Sequence, residues 1–131
     1  MNTANRERAN AVLQEIGELD DSLSVMVKSV RDALAGRVVL AEIVGELSVE
    51  VEIEPLTWWN GIPAREYMRR NLVEALHCVA LAELAGQRKA FRYAYGPEAL
   101  AALAEIERLQ WANAETLVAQ YKDVMDGNAA P

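Results

Sequence analysis

The chain has one histidine and one cysteine, and they are neighbours, His77 and Cys78, inside the apolar stretch 72–84 (LVEALHCVALAEL). Most nucleophilic, metal-dependent and general-base chemistries recruit one of these two side chains. One copy of each excludes a zinc finger, a four-cysteine cluster and a two-histidine metal site built within a single chain. A cysteine–histidine catalytic pair is disfavoured as well, because consecutive residues of a helix point about 100° apart. No phosphate loop, no Gly-x-Ser-x-Gly and no paired-cysteine motif occurs elsewhere.

Carboxylates are the remaining candidates for chemistry. Glu74 and His77 are three residues apart, a spacing at which both side chains reach one metal from a helix. The spacing resembles half of the Glu-x-x-His pattern of ferritin-like di-iron carboxylate bundles, and the resemblance implies a metal site only if a second chain brings another half. The plainer alternative pairs Glu74 with Arg70 one turn earlier and leaves His77 at the border of the core. Glu83 and Glu107 each fall inside the apolar sector of a helix, where desolvation of a carboxylate costs several kcal/mol or forces protonation. Two such groups with raised pKa can act as acid and base. Alternatively Arg65, Arg69, Arg88 or a tryptophan N–H partners them, or they lie at a subunit rim. Glu15-x-x-Glu18-x-x-Asp21 is similar to the acidic helices of all-α nucleotide pyrophosphatases, but no second acidic motif follows, and its position opposite the apolar stripe makes it a solvated face.

Binding residues are easier to nominate than catalytic ones. Trp58 and Trp59 are adjacent in a loop and cannot readily both enter a core, and tryptophan and arginine dominate binding hot spots. The alternative has one tryptophan cap a junction between elements while the other shields an apolar surface. The stretch 88–95 (RKAFRYAY) interleaves Arg88, Phe91 and Arg92 with tyrosines, a composition that suits stacking on single-stranded nucleic acid or contact with an acidic protein surface. A net charge of −7 stands against nucleic acid and anionic lipid, since both are bound by neutralising phosphates.

These side chains need elements to position them. Residues 5–35 carry one amphipathic stripe (Val12, Ile16, Leu19, Leu23, Met26, Val27, Val30, Leu34), which predicts a long N-terminal helix closed by Gly36. From Leu47 to Glu54 (LSVEVEIE) apolar and polar residues alternate strictly, a strand signal. Arg37–Val44 is rich in β-branched residues, and Gly45-Glu46 suits a two-residue turn. Pairing Val44 with Leu47 places Val38, Leu40, Val44, Leu47, Val49, Val51 and Ile53 on one face, apolar except for Glu42, so the expectation is a β-hairpin. The rival reading runs a helix through Val38–Leu47. Pro55 ends this element, 56–62 forms a loop, Pro63 opens a helix over Ala64–Leu84, and Gly86 is a weak point or an end. Residues 87–95 continue that helix or form a short piece of their own. Gly96-Pro97 breaks the chain before a last helix from Pro97 to about Met125, closed by Gly127.

The expected fold is therefore mainly α (α+β) in one domain over 1–127, with a frayed tail at 128–131 and an all-α helical bundle as the alternative. The longest apolar runs fall short of 18 residues and no hydrophobic signal region leads the chain, so a cytoplasmic protein with no membrane span is expected. A lone cysteine fits a reducing compartment. Charge is uneven: residues 36–62 carry five acidic side chains and one basic, whereas residues 63–95 carry three acidic and six basic. With no convergent catalytic set, the leading expectation is a non-catalytic interaction or assembly protein without cofactor, acting as a homo-oligomer or on a protein partner. Its expected contact surface is Trp58, Trp59 and the apolar hairpin face. The alternatives are a ferritin-like metal-binding bundle or small carboxylate enzyme, and an acidic inhibitor of a nucleic-acid-binding protein.

Overall fold

The computed structural model describes residues 3–54 and 62–127. Its α-helices are α1 (Thr3–Leu19), α2 (Ser24–Leu34), α3 (Leu40–Ile53), α4 (Ala64–Ala90) and α5 (Pro97–Met125). There is no strand among the described residues, so the β-hairpin expected over 37–54 is absent and the all-α bundle is the fold. The alternating segment is helical because a second pattern runs through it. Leu40, Ile43 and Leu47 are buried and Val44 and Val51 are half-buried, at the three- and four-residue steps of one helix face. That stripe crosses Gly45-Glu46, where the turn was expected, and packs on α4. A lone two-stranded hairpin is marginal, whereas a helix satisfies its own backbone and buries this stripe.

Gly45 then sits in a helix interior with open space where a Cβ would stand and no positive φ. Gly45→Ala is expected to raise stability by about 0.5–1 kcal/mol in urea denaturation. In a hairpin turn needing positive φ the same change would destabilise, so the sign of the effect separates the two folds.

The long N-terminal helix is also interrupted. Asp20 accepts a hydrogen bond from the Ser22 backbone N–H (2.9 Å), capping a single 3-10 turn at Asp21–Leu23 that separates α1 from α2. The chain reverses there, since Arg31 and Leu34 of α2 line a groove with Arg6 and Asn10 of α1. Arg8–Glu115 and Glu15–Lys122 ion pairs set α1 parallel to α5. The side-chain amide of Asn71 donates to the Leu117 carbonyl (3.3 Å) and Lys89 pairs with Glu107, which sets α4 antiparallel to α5. Gly36 and Gly127 adopt φ of 79° and 77° and close α2 and α5. Helix α4 is central, packed against each of the other four helices, as its wide apolar arc requires. No described helix is long and apolar enough to cross a membrane.

Packing is uneven along the α4–α5 hairpin. The last buried residue of α4 is Ala85 and the first of α5 is Trp111, and none of residues 86–110 is buried. Residues 86–110 therefore form a two-helix arm with no fully buried residue, and α1 reaches only its root, through Asn5.

Candidate functional site

The root of that arm holds the two carboxylates singled out from the sequence. Glu83 on α4 and Glu107 on α5 line one cleft of about 490 Å³ together with Asn5, Gln87, Lys89 and Phe91. Gly86 makes this possible, because a Cβ there would overlap Oε2 of Glu107. Lys89 donates to Glu107 at 2.8 Å, a half-exposed pair across the two helices. Glu83 is 5% exposed, and burial pushes its carboxyl above the usual carboxylate range. A hydrogen bond from Gln87 opposes the shift and the Glu107 charge adds to it. Arg65 and Arg69, proposed from the sequence as partners for these carboxylates, are engaged elsewhere. The lining offers carboxylates, amides, an ammonium group and an aromatic ring, a set suited to polar binding; it holds no hydroxyl, thiol or imidazole among the described residues.

A raised carboxyl pKa is a stability statement. Both states are protonated well below pH 4.5, and the cost of the buried charge grows as pH rises from 4.5 through the folded-state pKa. Glu83→Gln is accordingly expected to raise the urea midpoint at neutral pH, with the gain shrinking towards pH 4.5. A constant gain across that range would show that ionisation of Glu83 is not its source.

The other candidates are dispersed. Glu74 accepts from Arg70 Nε at 2.9 Å, so the plainer pairing is the one found. Burial lowers the His77 pKa against the Glu74 charge and raises the Cys78 thiol to about 11, which leaves the thiol protonated at neutral pH. No group of three His, Cys, Asp or Glu side chains that could hold a metal occurs among the described residues. Trp58 and Trp59 lie outside the described residues, and the β-hairpin face meant to join them as a contact surface does not exist. Arg88, Phe91 and Arg92 are all exposed at the tip of the arm, where Phe91 packs edge-on against Tyr93 with ring centroids 6.2 Å apart.

A polar cluster that sequence spacing does not disclose lies at the opposite end of the bundle. Asp20 is 4% exposed, with Arg65 and Arg69 each 3.8 Å from its carboxylate. Arg69 also pairs with buried Glu54 and donates to Ser22 Oγ at 3.1 Å, and buried Tyr121 lies beside Asp20 and Arg65. The α1–α2 turn, the end of α3, the start of α4 and the end of α5 meet there. Its ion pairs join residues 15 to 49 positions apart in sequence, and every charge has an opposite neighbour, which suits a structural clamp.

Two surfaces remain. The outward face of α3 carries Val49 and Ile53, the latter 69% exposed, among Glu42, Glu46 and Glu50. The arm carries Phe91, Tyr93 (88% exposed), Ile106 and Leu109. No protein-family model matches the chain, and neither a curated protein nor a solved structure is similar to it.

Proposed function

We propose that this chain is a non-catalytic assembly protein that associates with further copies of itself through the arm formed by residues 86–110. The observation that carries this reading is the contrast within one hairpin: α4 up to Ala85 and α5 from Trp111 contribute buried residues, whereas the arm buries none while presenting Phe91, Tyr93, Ile106 and Leu109 to solvent. Apolar groups presented together in this way mark interaction sites. Aromatic residues beside arginine, as at Arg88, Phe91, Arg92 and Tyr93, are the composition of binding hot spots. Among the described residues, the cleft at the root of the arm is lined by no hydroxyl, thiol or imidazole, and one of its two carboxylates is engaged by Lys89.

Sedimentation at micromolar concentration tests the reading. A mass above the 14.5 kDa of one chain is expected. Replacing both Phe91 and Tyr93 with alanine is expected to raise the dissociation constant about 30-fold or more. The urea midpoint of the dissociated chain should barely move, because both rings are exposed. A single-chain mass for the unmodified protein throughout that range would overturn the reading.

A further inference from the structure

We infer that association is head-to-tail, with the tip of one copy's arm seated on the outward face of α3 of the next. The inference rests on the self-association reading and adds the identity of the receiving surface. The two surfaces are complementary in charge and alike in apolar content. On α3, Glu42, Glu46, Val49 and Ile53 follow one another at four-, three- and four-residue steps, which places them on one line of the helix, with Glu50 beside it. The helix has no basic residue, and among the described residues none of Glu42, Glu46 and Glu50 forms an ion pair. At the tip, Arg88 and Arg92 likewise have no ion pair among the described residues, as is true of Arg6 and Arg31 on α1 and α2, whereas Arg8, Arg37, Arg65, Arg69, Arg70 and Arg108 are paired. Exposed Phe91 and Tyr93 flank Arg92 in the sequence and supply the apolar counterpart of Val49 and Ile53.

A tip-to-tip contact would set the arginines of two copies against each other and leave the glutamates of α3 uncovered. Like charges brought together across an interface cost several kcal/mol, whereas matching a basic tip to an acidic face favours encounter and fixes orientation. The tip and the face are different surfaces, so their contact is heterologous: each copy offers one tip and one seat, and the assembly grows as an open chain or closes as a ring.

Charge reversal on either side provides the test. The tip variant (Arg88→Glu with Arg92→Glu) and the face variant (Glu46→Lys with Glu50→Lys) are each expected to sediment as single chains with unchanged helical circular dichroism. Their dissociation constants should rise at least about 100-fold. Mixed together, the basic tip of the face variant meets the acidic seat of the tip variant and the reversed, acidic tip meets the reversed, basic seat, so an assembly holding the two variants in equal numbers is expected to form where neither does so alone. An unmodified protein that is oligomeric and stays so in the face variant overturns the head-to-tail arrangement but leaves self-association standing; an unmodified protein of one chain overturns both. Should the face variant lose its helicity, the unmodified oligomer is followed at rising salt instead. Dissociation supports the charge-matched seat, and an indifferent mass counts against it.

Discussion

Trp111→Ala is expected to lower folding stability by about 3–5 kcal/mol, the range for truncating a large buried aromatic residue. Trp111 is 2% exposed, among the largest fully buried side chains, and is the first residue of α5 to enter the core. It stands where the arm joins the bundle, so the cavity opens at the point where α5 begins to be held by more than α4. Its surroundings also allow a graded test. The guanidinium of Arg8 lies 5.4 Å from the ring centroid, and Arg8 is tied in turn to Glu115. The indole N–H has no hydrogen-bond partner among the described residues. Trp111→Phe keeps an aromatic face under Arg8, leaves a smaller void and removes an unpaired buried donor, so it is expected to cost much less than the alanine change. A double-mutant cycle with Arg8→Ala measures the remaining ring–guanidinium coupling, expected at about 0.5–1 kcal/mol for a half-exposed cation. If Phe and Ala cost the same, cavity volume is not the source of the loss.

Such a residue also marks how far sequence reasoning reaches. Helices α4 and α5 were legible because their ends carry local chemistry: Pro63 before α4, Gly96-Pro97 before α5, and Gly127 in the left-handed conformation after it. Between those signals the apolar arc of α4 already implied a helix covered on several sides. Helix α3 was misread because two periodicities overlap in it. Val49, Val51 and Ile53 alternate with glutamates as in a strand, but Val49 and Ile53 face solvent and only Val51 reaches the core. The helical stripe of Leu40, Ile43, Leu47 and Val51 is visible only when the segment is not divided at Gly45-Glu46, and its value depends on α4 being there to receive it. The break at Asp20 was legible in principle from Asp20-Asp21-Ser22, whose side chains favour caps and turns over helix interiors. Glu83 and Glu107 stand out from the apolar sectors of their helices, yet the spacing along each helix carried no information that Gly86 opens room for one beside the other. The unburied arm was invisible for a related reason. Leu100, Leu103 and Ile106 have the period of a packed helix face, and only the positions of α1, α2 and α3 determine that the packing stops at Trp111.

The clamp at the opposite end of the bundle carries the second large effect. Arg69→Met is expected to cost about 3–5 kcal/mol, because it leaves Glu54 without its partner and Asp20 with Arg65 alone, while both carboxylates stay buried. The loss comes from the stranded charges more than from the attraction itself, and that distinction is testable. Glu54→Gln on the Arg69→Met background removes one stranded charge and is expected to restore part of the stability, whereas Glu54→Gln in the unmodified chain should destabilise; the two changes are then strongly non-additive. Asp20 retains the Ser22 backbone N–H at 2.9 Å and hydroxyl at 2.7 Å, so it stays anchored in each of these variants. Arg69→Lys is expected to recover less than its conserved charge suggests, since one guanidinium reaches Glu54, Asp20 and Ser22 Oγ together and a compact ammonium group lacks that planar fork. Urea denaturation of the four variants at one pH and salt concentration decides the matter. A cost for Arg69→Met of only about 0–1 kcal/mol, the value of an exposed ion pair, would mean that water reaches these carboxylates and that the cluster does not clamp the helices.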